Sequence, residues 1–416
     1  MTTAAQQNRL EYLDAVRAFA LLLGIVFHAS LSFVPVYIGW AVMDVSTSGT
    51  VSIFSLVSHS FRMPLFFLVA GFFSHMTFHR WGTARFLKSR FVRIVLPFAL
   101  GWFLLRPLLV AGWVAGAESL RGDVDISNAL LSGFASLAHL PFGLFVGTHL
   151  WFLYYLVLTT FTVLLLRYLI GSVAPLKEAL ARVADRGSAW LSSSRFALAA
   201  VALPTAACLW FMSHWGLETP DKSLVPHVPV LLIYATFFFT GWLFHRSRKL
   251  IEQFSRLTWD KVGLLLIAVT ASILLAGFER QTGHLHYGVI KGAFAVSYAA
   301  MMWTLVSITI GLFRRFFDRA SSVVRYVSDA SYWLYLVHLP LVVGLQVAVA
   351  ELPFHWSAKL LAVSLLTIAI ALVMYDLFVR PTFIGATLNG RRKPRVLFRF
   401  GRHGKAMATG GAPSQG

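Results

Sequence analysis

A chain of 416 residues in which 57% are hydrophobic and only 13% charged departs from a water-soluble domain, where roughly 45–50% are apolar and about 25% charged. That excess of apolar surface excludes a soluble core. The formal charge of +19, with no soluble module to display it as a patch, excludes nucleic acid as the partner.

The apolar residues fall into blocks of about 20, each long enough as a helix to cross a hydrocarbon core of roughly 30 Å. The predicted class is therefore all-α, a polytopic protein with the lipid bilayer as its solvent. In chain order the predicted spans are 15–37, 52–75, 94–116, 149–170, 196–214, 226–245, 262–278, 288–313, 331–350 and 358–379, ten helices in all. No Ser/Pro/Gly-rich linker divides them, so one membrane domain is expected over 1–385, followed by a basic tail over 386–416 that is disordered at its Gly- and Ala-rich end. The first block is too long for a secretory signal and begins with Glu11, Asp14 and Arg17, so the N-terminus is expected to stay on the chain. A single cysteine, Cys208, excludes an intramolecular disulfide.

If the N-terminus is inside, 29 of the 36 Lys and Arg residues lie in inner segments and seven (Arg62, Arg106, Arg121, Lys222, Arg280, Lys291, Lys359) lie outside. Cytoplasmic loops attract Lys and Arg, so both chain ends are expected in the cytoplasm. The segment 119–148 is read as an outer loop with a re-entrant or interfacial piece, because a full span there would invert every later loop.

An ionisable group within a span costs at least about 2.5 kcal/mol on insertion scales, so each needs a partner or a task. In the first helix Asp14 and Arg17 lie three apart and can pair. His28 lies eleven residues beyond Arg17, about 16 Å along the axis on the same face, so a polar stripe rises from the inner surface. Arg62 enters the second helix from the opposite side and is suited to a carboxylate or a polarised oxygen. Pro64 kinks that helix and Gly71 admits a close neighbour. The inner segment 80–93 holds Arg80, Arg85, Lys88, Arg90 and Arg93, either a snorkelling membrane face or a phosphate site. His149 and Trp151 open the fourth helix, and His338 lies beside Pro340 in the ninth. Lys291 lies on the eighth helix, as a site residue or a snorkelling cation. These four are the candidate substrate contacts. The fourteen His residues show no ligand spacing, so no metal site is indicated, and no Gly-rich dinucleotide or phosphate-loop motif is present.

The stretch Leu13-Asp14-Ala-Val-Arg17 continuing to His28, with ten residues between Arg and His, resembles the signature of the membrane acyltransferase-3 family. Met63-Pro-Leu-Phe-Phe-Leu-Val-Ala-Gly71, His149-Leu-Trp-Phe-Leu and Tyr335-Leu-Val-His338-Leu-Pro follow in that family's order, so the resemblance runs from about residue 9 to 385. Phe61-Arg62-Met63-Pro64, Phe239-Thr-Gly241-Trp242 and the ending from Tyr375 to Arg392 are most similar to the branch that succinylates periplasmic glucans. The resemblance implies a cytoplasmic acyl-CoA donor, with no tightly bound cofactor, and a periplasmic glucan acceptor. It also implies an inner-membrane location, possible partners among glucan-synthesis proteins or further copies of the chain, His28 as catalytic base and Arg17 as its signature partner. Asp14 and Arg62 join these as catalytic candidates, and Arg85, Lys88, Arg90 and Arg93 as the set that holds CoA phosphates, with several pairings open. If the acyl group is succinyl, its free carboxylate needs a cation, for which Arg62 or Lys291 would serve. Acetyl transfer to another surface glycan and a transporter or flippase are the alternatives.

Overall fold

The computed structural model describes residues 10–119, 122–138, 148–319 and 321–397. Every regular element among them is helical. The chain runs through α1 (Glu11–Ser30), α2 (Gly49–Trp81), α3 (Thr83–Arg90), α4 (Leu96–Glu118), α5 (Ile126–Ala135), α6 (Trp151–Gly171), α7 (Ala174–Ser193) and α8 (Ala197–Trp210). It continues through α9 (Val228–Arg246), α10 (Arg248–Phe254), α11 (Trp259–Ala276), α12 (Tyr287–Phe316), α13 (Ser322–Val349), α14 (Trp356–Met374) and α15 (Phe383–Asn389). Single π turns at Phe91–Val95 and Tyr375–Val379 join α3 to α4 and extend α14.

Among the described residues nine helical stretches are long and apolar enough to span a membrane, and the pair α7 and α8, bent by 116°, makes a tenth if counted as one. The protein is a multi-pass membrane protein. The expectation over 196–214 shortens to α8, whose 14 residues cover only about 21 Å. Its neighbour α7, within the expected inner loop, is a helix with no buried residue. Five charged side chains between Lys177 and Arg186 hid its helical period from a search for apolar blocks. The expected loop 80–93 is helical too, broken only at Gly82, which takes φ +75°, a conformation open to glycine. Within 119–148 the short helix α5 packs on α4, where a Cβ on Gly133 would strike the Pro107 carbonyl; residues 139–147 lie outside the described residues, as do Arg9, Arg121 and 398–416.

Lipid-facing surface is plain on α11, where Leu266, Ile267 and Leu274 are 64%, 70% and 67% exposed, a patch that water would not tolerate. At the centre α2 and α9 cross so closely that a Cβ on Gly71 would collide with the Phe238 carbonyl and one on Gly241 with that of Leu68. Small residues permit such backbone approach where lipid supplies no hydrophobic drive.

Two sets of ion pairs hold opposite ends of α1, α13 and α14. At one end Glu11 pairs with Arg325 at 2.5 Å, and Asp329 with Arg380 at 3.9 Å and with Lys393. Asp376 there accepts from the Val396 and Leu397 amides at 2.9 and 3.1 Å, so the chain from 386 to 397 is folded against the bundle rather than trailing from it. At the other end Asp44 and Lys359 pair at 2.8 Å with side chains only 1% and 2% exposed. Lys359 Nζ also donates to the Ala350 carbonyl at 3.2 Å, which satisfies a second proton of a cation shut away from water.

Candidate functional site

One cavity of about 300 Å³ runs inside the bundle between α1, α2, α6 and α13. At the end marked by Glu11 and Arg325 its wall includes Arg90, Arg93 and Asn389; at the other end it includes His28, His149, His338 and Thr219. Between them the wall is mainly apolar, with Leu21, Val69, Phe73, Ile94 and Leu156. From Arg17 to His28 along α1 is about 16 Å, so the cavity spans about half of an apolar layer of roughly 30 Å.

The arginine end is built by a break in helical regularity. The π turn at Phe91–Val95 carries Arg93, whose carbonyl accepts the Tyr332 hydroxyl from α13; π turns interrupt the helical bonding pattern and recur at functional sites. Arg90 lies with its guanidinium 4.8 Å from the Phe86 ring centroid, and its Nε is buried without a hydrogen-bond partner. The Arg93 guanidinium lies against Gly390 so closely that a Cβ there would collide with it, and Gly390 also takes φ +81° to cap α15. Arg85 and Lys88 face elsewhere, lining with Trp81 and Thr387 a shallower basic pocket that Arg93 shares. The basic quartet thus divides, with Arg90 and Arg93 on the main cavity.

Further along, Arg17 pairs with Asp14 at 3.5 Å and donates to the Ser328 hydroxyl at 2.6 Å and its carbonyl at 2.9 Å. Asp14 also accepts from the Ser328 hydroxyl at 3.4 Å. Arg17 lines the cavity; Asp14 stands behind it, fixing the guanidinium.

The histidine end gathers residues from four helices. The His28 and His338 ring centroids are 5.2 Å apart, and those of His149 and His338 are 5.4 Å apart. Pro340 explains how His149 is set. A proline has no N–H, so the helical carbonyl four residues earlier, that of Leu336, loses its donor; His149 Nε2 fills the place at 3.0 Å. Tyr335 donates its hydroxyl to the His149 carbonyl at 2.8 Å. Thr148, just before, has φ +48° and is the only non-glycine residue with positive φ among the described residues, a strained setting of the kind found at functional sites.

Because carbonyl oxygens only accept, these bonds fix tautomers. His149 carries its proton on Nε2, and His338, whose Nδ1 donates to the Tyr335 carbonyl at 2.7 Å, carries its proton on Nδ1. His28 differs: neither ring nitrogen is tied to a backbone group, and Nδ1 is buried without a partner. Its ring is held by packing, stacked on Trp40 at 5.6 Å and edge-on to Phe27 at 5.2 Å. Gln346 secures the backbone beneath, donating to the His28 and Ala29 carbonyls at 3.1 and 3.0 Å while accepting from Trp40 Nε1 at 2.9 Å.

Arg62 lies 4.0 Å from the Phe27 ring centroid, and its aliphatic stem packs on Gly24, one turn below His28. Trp151 lines the same chamber. Lys291 does not: its ammonium donates to the Met212 carbonyl at 3.0 Å and lies over Trp210. Its sequence position gave depth in the membrane but not the direction it faces. Sequence reasoning also passed over His59, three residues before Arg62 on the same helix and bonded through Nε2 to the Leu217 carbonyl at 2.8 Å; that spacing was the available signal. Gln346 stands eight residues after His338 on one face of α13, a polar residue in an apolar run. Trp40, in an irregular segment, offered no signal.

Among the described residues no group of three metal-ligating side chains could hold a metal ion. The arrangement suits an anionic, slender molecule entering at the arginines and a proton transfer among imidazoles at the far end. The sequence profile described as an acyltransferase domain matches residues 10–376. The chain belongs to this acyltransferase family. Curated relatives of this acyltransferase include glucans biosynthesis protein C of Salmonella heidelberg, Salmonella agona and Salmonella enteritidis, each 26% identical over 391 residues, 91% of this chain and 94% of the relative. No solved structure matches. The acyltransferase's Arg-x10-His pair, Arg17 and His28, lies wholly on the cavity wall.

Proposed function

We propose that this membrane acyltransferase moves an acyl group from cytoplasmic acyl-CoA to a hydroxyl of a periplasmic glucan, across the inner membrane, with His28 as general base. The observation that carries the reading is the single cavity joining Arg90 and Arg93 to the three imidazoles. The excess of Lys and Arg in segments on the Arg90 side supports placing that end in the cytoplasm. CoA phosphates are matched there by guanidinium forks, and the pantetheine arm threads the apolar passage.

At the far end a sugar hydroxyl, a poor nucleophile, gives its proton to His28 as its oxygen bonds to the thioester carbon. The tetrahedral intermediate collapses by breaking the carbon–sulfur bond, and the imidazolium returns the proton to the CoA thiolate. His28 is chosen over its neighbours because it completes the Arg-x10-His pair on the cavity wall, and because His149 and His338 each spend one ring nitrogen on a backbone carbonyl, whereas no backbone group holds either nitrogen of His28. The name of the relatives supports a glucan acceptor, and the resemblance to the glucan branch supports succinyl as the acyl group.

The test is thioester consumption by purified protein in detergent with acyl-CoA and glucan, for wild type and His28→Ala. Acylated glucan from wild type and none from the variant supports the reading. Consumption that survives His28→Ala refutes the base, and folded wild type that consumes no acyl-CoA favours transport.

A further inference from the structure

We infer that Arg62 is the specificity-determining residue of the cavity, reading the terminal carboxylate of a dicarboxylic acyl group and thereby selecting succinyl over uncharged chains. This deepens the proposed acyl transfer and rests on it. Arg62 is 5% exposed, lines the cavity, and its Nε and Nη1 are buried with no hydrogen-bond partner. Among the described residues no Asp or Glu lines the cavity and no ion pair involves Arg62. The other cations are accounted for: Arg17 is paired with Asp14 at 3.5 Å, and Arg90 and Arg93 stand at the opposite end. Lys291, the other cation suited by sequence, is bonded to the Met212 carbonyl instead.

A buried guanidinium without a counter-charge is costly, and contact with the Phe27 ring offsets only part of the cost. The missing anion must come with the ligand. A transition-state oxyanion exists too briefly to balance a standing charge, whereas a carboxylate is present throughout binding and matches the planar fork. Gly24 marks the place: Arg62 lies against α1 a turn from His28, near enough that an ideal Cβ on Gly24 would be in van der Waals contact with it, 3.6 Å from Arg62 Cδ and 3.9 Å from Nη1. A thioester carbon at His28 would then have its carboxylate, two methylenes away, within reach of Arg62.

The experiment compares succinyl-CoA with butyryl-CoA, in which a methyl replaces the carboxylate, as donors to glucan. A site built around a buried polar group rejects an analogue lacking its partner by large factors. Wild type is expected to favour succinyl by roughly 100-fold or more in kcat/KM; Arg62→Met brings the ratio to within about tenfold, and Arg62→Lys, which keeps charge but not the fork, falls between. Equal loss with both donors in Arg62→Met, the ratio intact, would place the guanidinium at the reacting carbon and overturn the inference. Absence of a preference in wild type overturns it without any variant, including the case where the variants do not fold. Wild type that consumes neither thioester removes the acyl-transfer reading itself, and the assignment of Arg62 with it.

Discussion

The two ends of the cavity handle charge in opposite ways. At the arginine end Arg85 and Lys88 are exposed on the shallower pocket and Arg90 and Arg93 half-buried on the main cavity, with Arg93 shared by both. At the histidine end Arg62, His149 and His338 are buried among aromatic rings, with Arg62 Nε and Nη1 and His149 Nδ1 lacking a hydrogen-bond partner. Exposed cations bind a wet, multiply charged ligand through interactions that salt screens; buried ones discriminate, because every unmet bond is felt in full. In the proposed reaction that difference would give recognition of the donor's nucleotide to one end and chemistry to the other.

That division breaks or sharpens under substitution. The largest effect is expected at His28: His28→Ala lowers kcat by roughly 10²–10⁴-fold, the range for a general base, with KM for acyl-CoA nearly unmoved in steady-state assays. Next, Arg90→Ala or Arg93→Ala removes a charge-assisted hydrogen bond of about 1.5–3 kcal/mol, raising KM for acyl-CoA by roughly 10–100-fold with little change in kcat. The wild-type KM should rise with salt and the variants' less steeply. A fall in kcat alone would erase the distinction between the ends.

A smaller effect is expected at Pro340. Pro340→Ala restores an N–H that competes for the Leu336 carbonyl, freeing the His149 ring from a bond worth about 0.5–1.5 kcal/mol. A drop in kcat of up to about tenfold, with KM for donor unchanged, is the outcome that fits His149 as a positioning residue. Smallest is Lys88→Ala, an exposed cation on the shallower pocket, where about 0.2–1 kcal/mol gives a few-fold rise in donor KM.

Much of the histidine end was legible before any coordinates. The 3.6-residue period placed Arg17 and His28 on one face, and the cost of burying charge marked Arg62, His149 and His338 as residues with work to do; the structure brings them around one chamber. Gly71 as a close-contact point was legible for the same kind of reason, since only a missing side chain admits the Phe238 backbone. What failed was direction around a helix axis. Lys291 lies in a helix apolar on every side, so nothing in its spacing said which neighbour it would meet. The division of Arg85 and Lys88 from Arg90 and Arg93 follows from α3 and the π turn at Phe91–Val95, in a stretch expected as a loop, where no helix face had been assigned. The link from Pro340 through Leu336 to His149 joins residues 187 apart, and only the folded chain makes it visible.

The central claim is that one cavity brings a donor from the arginine side to an acceptor at His28. Proteoliposomes test it most directly, with acyl-CoA supplied on the side bearing Arg90 and Arg93, glucan enclosed on the other, and orientation fixed by protease access to the chain ends. The account predicts acylated glucan in the compartment that never held acyl-CoA, with free CoA remaining on the donor side. Product that forms only when both substrates share a compartment would contradict it.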